Sequence, residues 1–152
     1  LNSNFAFLNK LLIANVAGLQ VFADGLAGKI AAGLSIGLSG DLGAGKTTCV
    51  RFLVKALGSS QTVTSPTYAL QHEYVSESGL VIEHWDLYRL SQTPEELRER
   101  CPNNHIRLIE WPEKASEIMA ELDICLTFAR FDQEEDANSR ILSIESRQPL
   151  LL

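Results

Sequence analysis

The stretch Gly40-Asp41-Leu42-Gly43-Ala44-Gly45-Lys46-Thr47 decides the reading of this chain. It fits the pattern G-x-x-x-x-G-K-[ST] at every fixed position. The residues before it, Leu34 to Ser39 (LSIGLS), read as a short buried strand. The residues from Lys46 to Leu57 (KTTCVRFLVKAL) read as a helix. Val50, Phe52, Leu53, Val54 and Leu57 supply its apolar side, and Gly58 is its stop signal. Strand, glycine-rich turn and helix in that order are the context that gives the motif its meaning. Glycines let backbone N–H groups close on a polyphosphate, and the helix start adds partial positive charge. Lys46 is placed to reach β- and γ-phosphates, and the Thr47 hydroxyl to coordinate Mg²⁺. The competing reading, a glycine-rich turn that happens to precede a helix, is much the weaker in this context.

Outward from the loop, strands and helices alternate. Val21 to Ala32 reads as a helix interrupted by two glycines. Tyr68–Tyr74 and Leu80–Trp85 read as a hairpin turning at Ser78-Gly79. Thr93 to Arg100 (TPEELRER) carries a helix start: Thr93 as cap, Pro94 at the first position, Glu95 and Glu96 at the positive end of the dipole. Ile106–Ile109 is a strand ending in Glu110, and Ala115 to Leu122 a short helix. Ile124–Phe131 and Arg140–Glu145 are strands joined by the acidic loop DQEEDANS, with Asp132 to Asp136 read as solvated. The alternation predicts an α/β sheet with an antiparallel edge late in the chain. One domain is expected over residues 21–148, with 1–20 a segment of unassigned role and 149–152 a tail.

Composition narrows the function classes. Hydrophobic residues are 45% and charged residues 21% of 152, which fits a globular chain and excludes disorder. Lys plus Arg is 13 against 19 Asp plus Glu, a formal charge of −6. Such a balance argues against a broad nucleic-acid surface, which needs lysines and arginines. It leaves room for a phosphate ligand at one local basic site. Cys49, Cys101 and Cys125 form no CxxC pair, so neither a disulfide framework nor a zinc site is expected, and a reducing cytoplasm is the expected compartment. The apolar segment Phe5 to Val21 is broken by Asn9, Lys10, Asn15 and Gln20. It falls short of the roughly 20 apolar residues of a membrane span. No basic region precedes Phe5, which reads against a signal peptide, although the sequence begins at Leu1 and not at Met.

A phosphate loop needs acidic help. Asp86 and Glu110 each follow an apolar strand, at the end where such sheets bind ligands. An ordinary exposed carboxylate is the alternative for either. Thr67, in Ser65-Pro66-Thr67-Tyr68, is a candidate γ-phosphate sensor, or else part of a turn. Arg89 suits a phosphate contact or a surface salt bridge. Trp85 and Trp111 flank the two acids, and core packing is their usual role. His72, His84 and His105 lack metal-ligand spacing and read as surface or ladder residues.

Taken in order, GDLGAGKTT (Gly40–Thr48), SPTYAL (Ser65–Leu70), DLYRL (Asp86–Leu90), TPEEL (Thr93–Leu97) and IEWPEK (Ile109–Lys114) resemble the TsaE family, formerly YjeE. This is the small bacterial ATPase family of tRNA threonylcarbamoyladenosine synthesis. The resemblance spans about Val21 to Glu145. It implies a P-loop NTPase-like three-layer α/β fold with a mixed, partly parallel central sheet. It implies Mg²⁺-dependent ATP hydrolysis in support of a threonylcarbamoyl transferase complex acting on adenosine 37 of tRNA, with tRNA held mainly by the partners. By motif, Gly40, Asp41, Leu42, Gly43, Ala44, Gly45, Lys46, Thr47 and Thr48 hold the phosphates. Thr47 and Glu110 are the implied Mg²⁺ ligands, Asp86 the activator of water, Thr67 the γ-phosphate sensor, and Trp111 a neighbour of the nucleotide. Two departures stand out. Arg98 to Arg107 is shorter than the family pattern, with Cys101-Pro102-Asn103-Asn104 where a glycine turn is usual. Gln20 falls where members carry a Ser or Thr near the adenine or ribose.

Two rival functions share the loop. A small-molecule kinase needs an arginine-rich lid, for which Arg98, Arg100 and Arg107 are the only cluster. A nucleotide-dependent binding switch needs the same residues and little hydrolysis. A GTPase is disfavoured, since neither an NKxD nor a DxxG switch motif is found.

Overall fold

The computed structural model describes residues 5–131 and 139–150. The acidic run from Asp132 to Asp136 lies outside them. The chain builds a seven-stranded sheet from β1 (Phe7–Ile13), β2 (Ser35–Gly40), β3 (Gln71–Val75), β4 (Val81–Asp86), β5 (His105–Glu110), β6 (Ile124–Arg130) and β7 (Arg140–Ser146). Their spatial order is β1-β7-β6-β2-β5-β4-β3. The four central strands, β6, β2, β5 and β4, run parallel, and the pairs β3–β4, β6–β7 and β1–β7 are antiparallel. The expected mixed, partly parallel sheet is present, with its antiparallel edge late in the chain.

Two apolar layers sandwich it. One packs the sheet under α1 (Val16–Ala27) and α2 (Lys46–Ala56), through Leu19, Phe22, Leu26, Val50, Leu53, Ile36 and Leu38. The other holds Trp85, Leu97, Ile109, Ile118 and Leu122 beneath two 3₁₀ turns, Glu95–Arg98 and Pro112–Lys114, and α3 (Ser116–Met119). Helices, sheet and short helical turns make the three layers. Among the described residues no helix is long and apolar enough to cross a membrane.

Three elements differ from the sequence reading. The first helix starts at Val16, not Val21, because Asn15 is extended and its side chain accepts the Gly18 N–H at 2.9 Å, a helix cap. Its buried residues Leu19, Phe22, Ala23 and Leu26 then follow helical spacing. Residues 7–13 pair with β7 as an edge strand. The helix expected over Thr93–Arg100 is a single 3₁₀ turn with Pro94, not Thr93, at its cap. Cys101 precedes Pro102, which disfavours continued helix, and Leu97 is the turn's one buried residue. The helix expected over Ala115–Leu122 is confined to Ser116–Met119.

The face of β4 and β5 turned away from α2 carries a buried charge cluster. Glu83 pairs in register with Arg107. Its carboxylate accepts from Arg107 Nε at 2.8 Å, Trp85 Nε1 at 2.9 Å and His105 Nδ1 at 2.5 Å. Arg107 also donates to the Glu99 carbonyl at 2.7 Å, tying the 3₁₀ turn to the sheet. Burial acts to raise the Glu83 pKa, but these hydrogen bonds and the Arg107 charge outweigh it and hold the group below the ordinary carboxylate range. The stabilisation is therefore complete above about pH 4.3, the unfolded value, and is lost as pH falls through the native one. Glu83→Gln leaves the Arg107 charge buried without its partner. It is expected to lower stability at pH 7 by about 3–5 kcal/mol. In urea melts, the gap from the parent chain should narrow as acid protonates Glu83 in the parent.

Candidate nucleotide-binding site

Three strand ends and one helix start meet at one edge of the sheet. β2 ends at Gly40, β4 at Asp86 and β5 at Glu110, while α2 begins at Lys46. The register sets Leu38 opposite Glu110 and Glu110 opposite Asp86. The two carboxylates thus stand side by side next to the loop that leaves β2.

Backbone geometry explains the loop's glycines. Gly40 has φ of +138°, and a Cβ there would lie 2.6 Å from the Phe128 carbonyl oxygen. Gly45 closes the loop at φ of +110° and caps α2 without any side-chain hydrogen bond. The first N–H groups of a helix have no acceptor within it. Here no cap side chain competes for them, so an anion at this terminus gains both donors and dipole.

Lys46 is 4% exposed. Its Nζ donates to the carbonyls of Gly40 at 2.5 Å and Asp41 at 2.9 Å, and stands 3.8 Å from the centroid of the Trp111 ring. Burial pulls its pKa below the usual lysine value, opposed by the charges of Glu110, Glu113, Asp86 and Asp41. Thr47 Oγ1 donates to the Glu110 carboxylate, at 2.9 Å from Oε1 and 3.1 Å from Oε2. On the other side, Asp86 Oδ2 accepts from Thr67 Oγ1 at 2.8 Å, and Oδ1 from the Tyr88 N–H at 2.9 Å. Thr67 shares a further hydrogen bond with Ser65 Oγ at 2.7 Å. Trp111 sits at φ of +59°, a strained setting for an L-residue. Its N–H donates to the Leu38 carbonyl at 3.1 Å, and its ring lies 4.9 Å from that of Tyr88.

These groups line one cleft of about 550 Å³. Leu42, Gly43, Gly45, Lys46, Thr47, Thr48, Thr67, Asp86, Glu110 and Trp111 all face it. Of the residues singled out from sequence, Gly40, Asp41 and Ala44 do not. Gly40 and Asp41 supply the carbonyls that hold Lys46, and Ala44 borders a smaller hollow of about 210 Å³ beside α1. That hollow is walled by Asn15, Val16 and Leu19 and not by Gln20. Asp86 and Glu110 are 6% and 3% exposed, which removes the reading of either as a surface carboxylate. Arg89 lines the cleft and lies 4.7 Å over the exposed Tyr68 ring. Trp85 is core, as its type suggests.

One site residue escaped the sequence reading. His84 is neither a surface nor an ordinary ladder residue: it is fully buried, with Nε2 at 2.8 Å from Glu110 Oε1. A usable signal existed, since residues two apart on a strand share a face and His84 lies two before Asp86. His105 is likewise engaged, by Glu83.

Among the described residues, no three or more His, Cys, Asp or Glu side chains gather as a metal cage. The Thr47 hydroxyl and Glu110 carboxylate are hard oxygen donors instead. Mg²⁺ takes one or two protein oxygens and fills its octahedron with water and phosphate, so this donor pair fits that ion. Asp86 also serves as a latch for its surroundings. Each hydrogen bond to a charged acceptor is worth roughly 1.5–3 kcal/mol. Asp86→Ala should therefore speed amide exchange in residues 65–68 and at Tyr88 about tenfold or more, with the central strands still protected, as read by hydrogen–deuterium exchange.

Comparison with known proteins adds an independent line. Residues 13–141 match the family model of TsaE, the threonylcarbamoyl adenosine biosynthesis protein. The tRNA threonylcarbamoyladenosine biosynthesis protein TsaE of Haemophilus influenzae is 45% identical over 100 residues, 62% of this chain and 62% of that protein. The Synechocystis protein of the same name is 34% identical over 105 residues, covering 63% and 65%. The chain thus spans a little under two thirds of those relatives' length. The Aquifex aeolicus TsaE is 34% identical over 121 residues, covering 77% of this chain and 88% of its own. The crystal structure of Bacillus subtilis YdiB superposes with a TM-score of 0.71 over 96% of this chain and 90% of that one; at 23% identity it speaks for the fold alone.

Proposed function

This chain belongs to the TsaE family of tRNA threonylcarbamoyladenosine biosynthesis, and from that premise we propose that it is a Mg²⁺-dependent ATPase serving that modification. The observation that carries the reading is the Thr47–Glu110 contact beside Lys46 at the start of α2, faced across one cleft by Asp86 and Thr67.

The amides at the α2 terminus and Lys46 bind the β- and γ-phosphates of ATP. For this, Lys46 exchanges the carbonyls of Gly40 and Asp41 for phosphate oxygens. Thr47 Oγ1 and the Glu110 carboxylate hold Mg²⁺, which when bound neutralises charge on the phosphate oxygens. Asp86 orients the attacking water, and Thr67 fixes Asp86 and faces the γ-phosphate. Trp111 and Tyr88 wall the cleft on the lysine side. Catalysis is then alignment and charge stabilisation.

Arg89 is the one arginine among the residues lining the cleft, and it lies on Tyr68. Turnover by the isolated chain is therefore slow, and a partner completes the site. The partner is the threonylcarbamoyl transferase complex, which hydrolysis resets for another round. With a net charge of −6, tRNA contact falls mainly to that complex. The kinase alternative is weakened: Arg107 is buried on Glu83, Arg98 lies 3.9 Å from Glu117 on the other face of the sheet, and Arg100 borders a separate hollow with Ser35 and Asp123.

The test is phosphate release from Mg²⁺-ATP, by the chain alone and mixed with the transferase complex. Release without any small-molecule acceptor, raised by the complex, is expected. Lys46→Ala should cut it by about 10²–10³-fold while the circular dichroism melt stays cooperative. Release that requires an acceptor would favour the kinase. No release even with the complex present would leave only a binding switch and sink the ATPase reading.

A further inference from the structure

The structure assigns His84 as the positioning residue that holds Glu110 in its metal-binding orientation, an inference that rests on the Mg²⁺-dependent reading above.

His84 occupies the middle of β4 on the face turned toward α2 and is wholly buried. Its surroundings are mainly apolar: Ile82 and Leu108 belong to the core there, and the Tyr74 ring lies 6.5 Å away. One nitrogen has a partner and the other has none. Nε2 meets Glu110 Oε1 at 2.8 Å, while the buried Nδ1 makes no hydrogen bond. A carboxylate only accepts, so Nε2 is the donor in this contact, and Nδ1 is left without a partner. Burying an imidazole with one nitrogen unsatisfied costs stability that a leucine of similar size would not. Packing therefore does not account for a histidine here, whereas its single contact does.

The contact divides the labour of the Glu110 carboxylate. Oε1 receives His84 from the core side, and Thr47 Oγ1 bridges both oxygens from the loop side. The orientation of the carboxylate is thereby held from β4, a central strand of the sheet, as well as from the loop. Glu110 also has a competing attraction, because its charge acts on the neighbouring Lys46. A carboxylate free to rotate could pair with that ammonium, withdrawing a ligand from the ion and a cation from the phosphates together. His84 opposes that rotation. Partners of this kind, bonded to a metal ligand and not to the metal, typically change metal affinity by about 10–100-fold.

The experiment measures Mn²⁺ binding to the ADP complex of the full chain by electron paramagnetic resonance, reading free against bound ion without any turnover. The variants are His84→Leu, which removes the donor, His84→Gln, whose amide reaches about as far as Nε2, and His84→Asn, whose amide falls short. His84→Leu should bind Mn²⁺ about 10–100-fold more weakly than the parent. ADP affinity measured in EDTA should fall by a much smaller factor, and the melting temperature should be unchanged or higher. His84→Gln should recover most of the Mn²⁺ affinity and His84→Asn little. Equal Mn²⁺ affinity in parent and His84→Leu overturns the assignment. If His84→Leu does not fold, equal affinities for the Gln and Asn variants overturn it. A parent chain that binds ADP but no Mn²⁺ overturns the metal-dependent reading itself, and the positioning role with it.

Discussion

One row of residues across three parallel strands governs the site. Leu38 on β2, Glu110 on β5 and Asp86 on β4 stand in register. Beyond Leu38 the chain turns at Gly40 into the glycine-rich loop, and beyond Glu110 it turns at Trp111, whose backbone N–H bonds back to Leu38. The loop, the two acids and the aromatic wall are thus placed by a single alignment of backbone. Each side chain then needs little freedom to reach its partner. A slip of one residue between strands would turn every side chain of the slipped strand to the opposite face. The acids would leave the cleft and enter the apolar layer beneath.

The glycine-rich loop between strand and helix is legible because its pattern is local. Spacing within Gly40–Thr47, an apolar run before it and a helical run after it suffice. Asp86 and Glu110 are legible for a related reason: a polar residue ending an apolar strand in an α/β pattern lands at the ligand edge. The long-range contacts are less visible. The spacing in EHWDLYRL puts His84 on the face of Asp86, but its burial depends on α2 covering that face and on Glu110 arriving from a strand 26 residues later. The 3₁₀ turn at Glu95–Arg98 shows the opposite failure. Its local start signals are good, but Pro102 and the short connection to β5 leave no room for a full helix. The first helix was misplaced because a single side-chain cap, Asn15, carried more information than the run of apolar residues after it.

Burial also sets the electrostatics. Lys46, Glu110 and Asp86 are all shielded from water, so each charge is felt strongly by its neighbours. The lysine loses hydration and regains part of the loss from the carboxylates around it. An arrangement of two carboxylates beside one ammonium is poised for a ligand that carries both an anion and a cation. Under the proposed function that ligand is Mg²⁺ with a nucleotide polyphosphate, and either alone leaves one sign of charge unanswered.

The reverse face of the sheet explains how this alignment survives. Alternation along β4 and β5 sends His84, Asp86, Leu108 and Glu110 one way and Glu83, Trp85, Arg107 and Ile109 the other. A shift of β4 by two residues would preserve that alternation, so hydrophobic patterning does not forbid it. Such a shift would carry Asp86 roughly 6–7 Å from Glu110. It would also separate Glu83 from Arg107 and break a buried ion pair, which is far more costly than mismatched apolar contacts. The Glu83–Arg107 pair touches nothing in the cleft. Yet it favours this register over its nearest competitor, and His105 and Trp85 reinforce it from the same side. A buried ion pair on one face of the sheet thereby helps to hold together the carboxylates that meet on the other.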